Sequence, residues 1–200
     1  MRDEPGSAMH IHQSIVDSKT GKNIFSNDDG SESEYFWGFL GGQQEHLDSA
    51  VPIFAPYVNS YRRFKADDSS PANIEWAKDN RTTGLRIPIS NAEARRVENR
   101  IVGMDCNPYL AIAASLACGF LGMKSGAKPR EQRQGDAYRD GVTLPQSIRE
   151  ALPRFEENKA LRDMLGEDFC KVYEGIKNQG IEEFLSEISP WEREHLLLNV

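Results

Sequence analysis

Residues 95 to 101 read Arg95-Arg96-Val97-Glu98-Asn99-Arg100-Ile101, with a carboxylate between two arginines at alternate positions. Alternate residues of a β-strand point to the same side, so a strand here presents Arg96, Glu98 and Arg100 on one face. The flanking arginines hold Glu98 in its ionised form. This face is either a structural ladder of ion pairs or a site where Glu98 binds a hard cation and the arginines bind phosphate or carboxylate oxygens.

Two further stretches are predicted strands with polar side chains on one face. Residues 9–16 present His10, His12 and Ser14, and residues 82–89 present Gly84 and Arg86. Two histidines at i and i+2 are commonly an ordinary surface pair, but they can also offer neutral nitrogens to a metal or a metal-bound phosphate. Histidine, glutamate and arginine on one sheet face supply the metal ligands and neutralising charge that a magnesium–nucleotide site needs.

Helical patterns dominate the rest of the chain. The spacing of apolar residues and the capping signals predict helices over residues 34–48, 107–121 (Asn107 as N-cap, then Pro108), 143–158 (a capping box at Thr143), 161–188 (with a break near Gly180) and from 190 to the end. Strands interrupted by helices and followed by helices predict an α+β fold. A length of 200 residues fits one domain, or one domain with an appendage.

Charge and composition exclude several classes of function. The formal net charge of −7, from 31 acidic and 24 basic residues, argues against a nucleic-acid partner. The arginines that cluster between residues 62 and 100 indicate a small anionic ligand instead. Three cysteines without zinc or CxxC spacing indicate free thiols in a reducing, cytoplasmic compartment. The longest apolar run, residues 109–120, is too short to span a membrane, so no membrane partner is expected.

Five motifs then occur in a recognisable order: Gly6-Ser7-Ala8-Met9-His10-Ile11-His12-Gln13-Ser14, Asn59-Ser60-Tyr61-Arg62-Arg63, Asn80-Arg81-Thr82-Thr83-Gly84-Leu85-Arg86-Ile87-Pro88, Ala94-Arg95-Arg96-Val97-Glu98-Asn99-Arg100 and Asn107-Pro108-Tyr109-Leu110-Ala111. With them the chain resembles the carboxyl-terminal part of the glutamine synthetase catalytic domain. The resemblance covers roughly residues 5 to 125. It implies that residues 1–200 are that part of the domain, with active-site strands and helices in 1–125 and a helical tail in 126–200.

The resemblance also implies the architecture: antiparallel strands that form half of an active-site sheet, packed by helices. The amino-terminal β-grasp domain of the family is absent from this sequence. The family assembles as rings of subunits, so the resemblance implies a homo-oligomer for the full-length parent. The implied partners are ATP, glutamate and a small amine, with Mg²⁺ or Mn²⁺ as cofactor.

Site roles follow from the matching positions, again as implications of the resemblance. On the nucleotide side, the metal ligands are His10 and Glu98, and the contacts to ATP are His12, Ser14, Arg86 and Arg96. On the glutamate side, the binding residues are Gly6, Arg63 and Arg100. Catalytic roles fall to Arg63 and to Arg81, which stabilises the phosphoryl group during transfer. The implied reaction phosphorylates the side-chain carboxylate of glutamate with ATP, and an amine then attacks the acyl phosphate.

One departure from the family pattern concerns the amine. Glutamine synthetases that use ammonia have a glutamate six residues beyond the position of Arg63, and this chain has Ser69 there, with Asp67 and Asp68 off the matching position. Either this is ordinary loop drift, or the nucleophile is not ammonia. Gln13, residues 80–84 and residues 191–194 resemble the γ-glutamylpolyamine (γ-glutamylputrescine) synthetase branch, which favours putrescine or another polyamine. Ala8, where the family has glycine, is a smaller change.

A second departure from the family pattern concerns the metal ligands. Of the metal ligands that the family uses, only His10 and Glu98 are present, and two ligands bind magnesium poorly. We therefore expect the chain alone to be inactive. The alternatives are an ammonia-using glutamine synthetase and a non-catalytic truncated homologue that acts only in assembly.

Overall fold

The polar stretch at residues 95–101 lies at the centre of a four-stranded sheet. The computed structural model describes residues 7–64, 70–140 and 143–199. Its strands are β1 (Ile11–Gln13), β2 (Trp76–Lys78), β3 (Leu85–Ile87) and β4 (Val97–Asn99), in the spatial order β1-β4-β3-β2. Both neighbours of β4 run antiparallel to it, as predicted.

The sheet differs from the prediction in two ways. β2 was not predicted from the sequence, and it pairs with β3 in parallel, so the sheet is mixed rather than wholly antiparallel. The strands are also shorter than the predicted stretches. The chain after β1, for example, folds back at once through a turn over residues 17–22, which leaves Val16 only an isolated bridge to Asn23.

Helices α1 (Glu34–Phe54) and α2 (Pro108–Ser125) form the main helical pair. α1 begins at the predicted place, where the Ser33 hydroxyl accepts a hydrogen bond from the backbone N–H of Phe36. It ends later than predicted because its last residues are apolar and buried in the core. The helices cross at glycines: a Cβ on Gly122 would lie 2.4 Å from the Cα of Gly42. Only hydrogen side chains at this crossing permit so close an approach.

α2 packs against the face of the sheet opposite Glu98. The predicted cap is confirmed, since the Asn107 side chain accepts from the backbone N–H groups of Tyr109 and Leu110. Farther along α2, the hydroxyl of Ser115 accepts from Asn99 Nδ2 at 3.2 Å and donates to Gln13 Oε1 at 2.6 Å. β4 and β1 are therefore tied to the same helical residue on the face opposite Glu98.

The carboxyl-terminal part is helical, as predicted, but its boundaries differ. The helices are α3 (Ile148–Glu157), α4 (Lys159–Leu165), α5 (Glu167–Ser186) and α6 (Pro190–His195). Thr143 is not a cap, because α3 begins only at Ile148, where the Ser147 side chain accepts from the backbone N–H of Glu150. The backbone N–H of Thr143 donates to the Ala72 carbonyl. The break lies at Gly166, whose φ of +96° suits glycine, whereas Gly180 lies within α5.

The prediction of free thiols is confirmed. Cys106, Cys118 and Cys170 are buried free thiols. Within the described part of the chain, every helix is too short or too polar to cross a bilayer.

Candidate active site

The register of the sheet brings three predicted site residues into one row. His12 on β1 is the cross-strand partner of Glu98 on β4, and Glu98 is in turn the partner of Arg86 on β3. Side chains of directly paired residues lie on the same face. The row therefore collects residues from three separate motifs of the sequence.

Together with His10, Arg96 and Arg100, the residues of this row form a cluster centred on Glu98. The Glu98 side chain is only 3% exposed. Its Oε2 accepts a hydrogen bond from Arg86 Nη1 at 2.8 Å, and its Oε1 accepts one from Arg100 Nη1 at 2.9 Å. His10 Nδ1 lies 3.2 Å from the same Oε1. Burial by itself raises the pKa of Glu98, but the hydrogen bonds from His10 and Arg86 and the charge of Arg100 outweigh it and lower the pKa to about 2. Glu98 is therefore ionised at neutral pH.

The histidines lie at the more exposed side of the cluster. His12 Nδ1 accepts a hydrogen bond from Arg96 Nε at 3.2 Å, and His12 Nε2 lies 3.7 Å from Glu98 Oε1. Partial burial lowers the pKa of His12, and the Arg96 charge lowers it further against the opposing effect of Glu98. A neutral imidazole at pH 7 is the form that can accept from Arg96 and contact a ligand.

Arg86 has a second carboxylate partner that the sequence analysis missed. Asp79 Oδ1 accepts from Arg86 Nε at 3.1 Å and also from Arg86 Nη2. The sequence holds little signal for this contact, because Asp79 lies in a polar turn between β2 and β3 and only the fold brings it to Arg86.

Arg63 does not join the hydrogen-bonded cluster around Glu98. Its guanidinium donates to the Ile101 carbonyl and, at 2.8 Å, to the hydroxyl of Ser70, and it lies 4.6 Å from the centre of the Phe64 ring. Burial lowers the pKa of Arg63 to about 10, against the raising effect of the Asp105 charge. Arg63 is thus a buried cation close to residue 101, one position beyond Arg100.

The other predicted residues divide into exposed side chains and positions without a description. Arg81 is exposed in the turn before β3 and has no ion pair to any residue that the structure describes. Ser14 is exposed immediately after β1. Gly6, Asp67, Asp68 and Ser69 lie outside the described residues.

The turn that carries Arg81 is nevertheless well anchored. Asn73, another residue that the sequence analysis missed, is 1% exposed. Its amide donates to the Thr82 carbonyl at 3.0 Å and accepts from the Gly84 N–H at 3.0 Å. Asn80 Nδ2 fixes the other side of the turn by donating to the Gly135 carbonyl at 2.7 Å.

Only some of the side chains in the cluster around Glu98 are suited to bind a divalent cation. The carboxylate of Glu98 and the imidazole of His10 are suitable ligand types. The residues that the structure describes contain no group of three or more His, Cys, Asp or Glu side chains able to hold a metal. The pair can therefore supply two ligands, and a complete coordination sphere needs others.

The fold and the cluster together define an α+β protein with charged groups concentrated on one face of a mixed sheet. The chain belongs to the glutamine synthetase family, since the model for the glutamine synthetase catalytic domain matches residues 1–196.

Relatives support the same assignment. The chain is 37% identical over 198 residues to the γ-glutamylputrescine synthetase PuuA of Escherichia coli K12. The match covers 98% of this chain and 42% of PuuA. It is 35% identical to the type-1 glutamine synthetase 2 of Dictyostelium discoideum, over 98% of this chain and 39% of that protein. The ligand-free structure of GmaS superposes with a TM-score of 0.84 and 31% identity, over 96% of this chain and 45% of GmaS. The chain thus spans about two fifths of the length of the curated relatives it matches.

Proposed function

We propose that the complete natural polypeptide containing this sequence is an ATP-dependent ligase that joins the side-chain carboxylate of glutamate to an amine. The observation that supports this most is the cluster around Glu98, in which one ionised carboxylate is surrounded by arginines and histidines. Carboxylates are poor acyl donors until activated, and phosphorylation by ATP supplies that activation. The membership in the glutamine synthetase family supports the same reaction.

In this proposal the arginines overcome the repulsion between two anionic substrates. Arg86, Arg96 and His12 contact the phosphates of ATP, and Ser14 lies near the nucleotide. On the other side, the glutamate carboxylates are bound by Arg63 and Arg100, with backbone contacts from Gly6. Arg81, exposed on its anchored turn, stabilises the phosphoryl group during transfer.

His10 and Glu98 are the proposed ligands for Mg²⁺ or Mn²⁺, together with ligands from outside this chain. The ion neutralises phosphate charge when it is bound. With two ligands of its own, the 200-residue chain is proposed to be inactive alone. We also propose a cytoplasmic homo-oligomer for the complete protein, without nucleic-acid or membrane partners.

The amine is proposed to be putrescine or another polyamine. Ser69 in place of the glutamate that ammonia-using members have supports this choice, and so does the similarity to a relative named for putrescine. The alternative acceptor is ammonia, which the similar identity to a glutamine synthetase supports. A non-catalytic role in assembly is disfavoured, because packing alone does not require Glu98 and its ring of basic side chains.

The acceptor is tested by measuring kcat/KM for putrescine and for ammonia with the complete natural polypeptide, ATP and glutamate. We expect putrescine to be preferred, with γ-glutamylputrescine and ADP formed in equal amounts. A clear preference for ammonia rejects the polyamine proposal and leaves the ligase proposal in place.

A further inference from the structure

Asp79 has a backbone conformation that few non-glycine residues adopt. Its φ is +48°, and it is the one non-glycine residue with positive φ in the described part of the chain. Aspartate and asparagine tolerate this left-handed region better than most residues do, at some cost in energy. The Asp79 N–H donates to the Ile87 carbonyl at 2.9 Å, so the turn begins immediately where the pairing of β2 with β3 ends.

This turn places the Asp79 carboxylate beside the guanidinium of Arg86. A single oxygen, Oδ1, accepts from both Nε and Nη2 of Arg86. Nη1 of the same guanidinium donates to Glu98 Oε2 at 2.8 Å. Of the five N–H donors of an arginine side chain, Asp79 therefore occupies two and Glu98 one. The other two N–H groups have no partner among the residues that the structure describes, and the Arg86 side chain is 19% exposed, so a ligand can reach it.

We propose that Asp79 is a positioning residue that fixes the plane of the Arg86 guanidinium so that its two remaining N–H groups face a phosphate of the nucleotide. The inference rests on the proposed function, in which Arg86 binds ATP. A contact to Glu98 through Nη1 alone leaves the guanidinium free to rotate about that bond. The additional contacts at Nε and Nη2 remove this rotation and hold the group ready before the ligand arrives.

Stability alone does not account for this pair. The Asp79 side chain is 46% exposed, and ion pairs with such exposure add little to folding stability. An exposed pair that also requires left-handed backbone at a non-glycine residue is better explained by what it orients.

The kinetic test uses the complete natural polypeptide with the substitutions Asp79→Asn and Asp79→Gly. Both residues tolerate positive φ, and both remove the carboxylate charge. We expect the KM for ATP to rise about tenfold, the loss typical of removing a residue that orients a binding group. The KM for glutamate and the melting temperature should stay unchanged. The matched control is Asp28→Asn, which removes an aspartate paired with Lys22 at 2.8 Å in an exposed loop and should leave all constants unchanged.

A double-mutant cycle tests whether Asp79 acts through Arg86. In an Arg86→Lys background the planar guanidinium is absent, so Asp79→Asn should add little to the KM for ATP. The inference is overturned if Asp79→Asn has the same effect on the KM for ATP in both backgrounds. It is also overturned if Asp79→Asn raises the KM for ATP and the KM for glutamate equally, or changes neither.

A measurement without activity separates this inference from the proposed function. In the 200-residue chain, the Nε–H proton of Arg86 should exchange with water slowly in NMR spectra and faster after Asp79→Asn. Unchanged exchange rejects the positioning role. A wild-type polypeptide that makes no ATP-dependent amide rejects the proposed function, and with it the phosphate ligand, even where the exchange result confirms that Asp79 holds Arg86.

Discussion

The two oxygens of the Glu98 carboxylate are divided between two arginines, Arg86 on β3 and Arg100 just beyond β4. A carboxylate buried without cations takes up a proton, but Glu98 keeps its charge because its neighbours supply the hydrogen bonds. Among the residues that the structure describes, the cluster holds three arginines, Arg86, Arg96 and Arg100, and two carboxylates, those of Glu98 and Asp79. These arginines and carboxylates leave one positive charge in excess, which in the proposed function serves a phosphate or carboxylate ligand.

At this scale we predict the effect of Glu98→Gln on folding. The substitution keeps the size of the side chain and leaves the cations around it without their central counter-ion, so the free energy of unfolding at pH 7 should fall by about 2–3 kcal/mol. Urea denaturation of the 200-residue chain measures it. Asp28→Asn, in an exposed pair, is the control and should cause no measurable change.

The difference in the free energy of unfolding between wild type and Glu98→Gln should change with pH in one direction. The pKa of Glu98 is about 2 in the folded chain against an ordinary 4.5, so its contribution is present above pH 4.5 and is lost as the pH falls through 2. The gap between wild type and Glu98→Gln should narrow across that window. A gap that widens on acidification contradicts the assigned interactions.

Among the elements, α1 and α2 show how packing is set by glycine. A Cβ on Gly122 would lie 2.2 Å from the Gly38 carbonyl oxygen and 2.4 Å from the Cα of Gly42. Both obstacles are backbone, which cannot rotate away as a flexible side chain can. The two helices can approach so closely only because these positions lack side chains.

We therefore expect Gly122→Ala to force α1 and α2 apart and to lower the free energy of unfolding by about 2–3 kcal/mol, or to prevent folding. Gly175→Ala is the matched control, because Gly175 is also helical and a Cβ there meets nothing within 4 Å. It should stabilise the chain by about 0.5–1 kcal/mol. Thermal and urea unfolding of both variants measure the difference, and equal effects contradict the close packing.

The elements also show what could be predicted from the sequence. The alternation of residues 95–101 and the cap at Asn107 are local signals, and the structure confirms the strand and the helix that they predict. β2 and the start of α3 depend on contacts with distant residues: β2 pairs with β3, and Thr143 bonds to Ala72. For the site, the motifs predicted the residues around Glu98, whereas Asp79 and Asn73 act through turn geometry that no local pattern encodes.

At the scale of the whole molecule, the described chain has a strand edge and an apolar surface next to each other. β1 is at the edge of the described sheet, and the neighbouring helix α2 exposes a stripe of large apolar side chains at helical spacing, namely Tyr109, Ile112, Leu116 and Phe120. A patch of this kind commonly marks a contact surface. It agrees with a chain that spans 42% of the length of its relative PuuA.

Accordingly, we predict that the 200-residue chain binds Mg²⁺–ATP only weakly. His10 and Glu98 supply two ligands, and magnesium requires nearly octahedral coordination by oxygen. Isothermal titration of Mg²⁺–ATP into the chain should give no saturable binding at micromolar concentrations. A micromolar Kd contradicts the expectation that residues beyond this chain complete the site.

The central claim, that the cluster around Glu98 serves the phosphorylation of glutamate, is tested most directly by the fate of the carboxylate oxygens. Glutamate labelled with ¹⁸O in its side-chain carboxylate is supplied to the complete natural polypeptide with ATP and the amine, and the released phosphate is analysed by mass spectrometry. We predict that one ¹⁸O atom passes to phosphate for each amide formed, because the acyl phosphate breaks at its acyl carbon. Amide formation with unlabelled phosphate would contradict the claim.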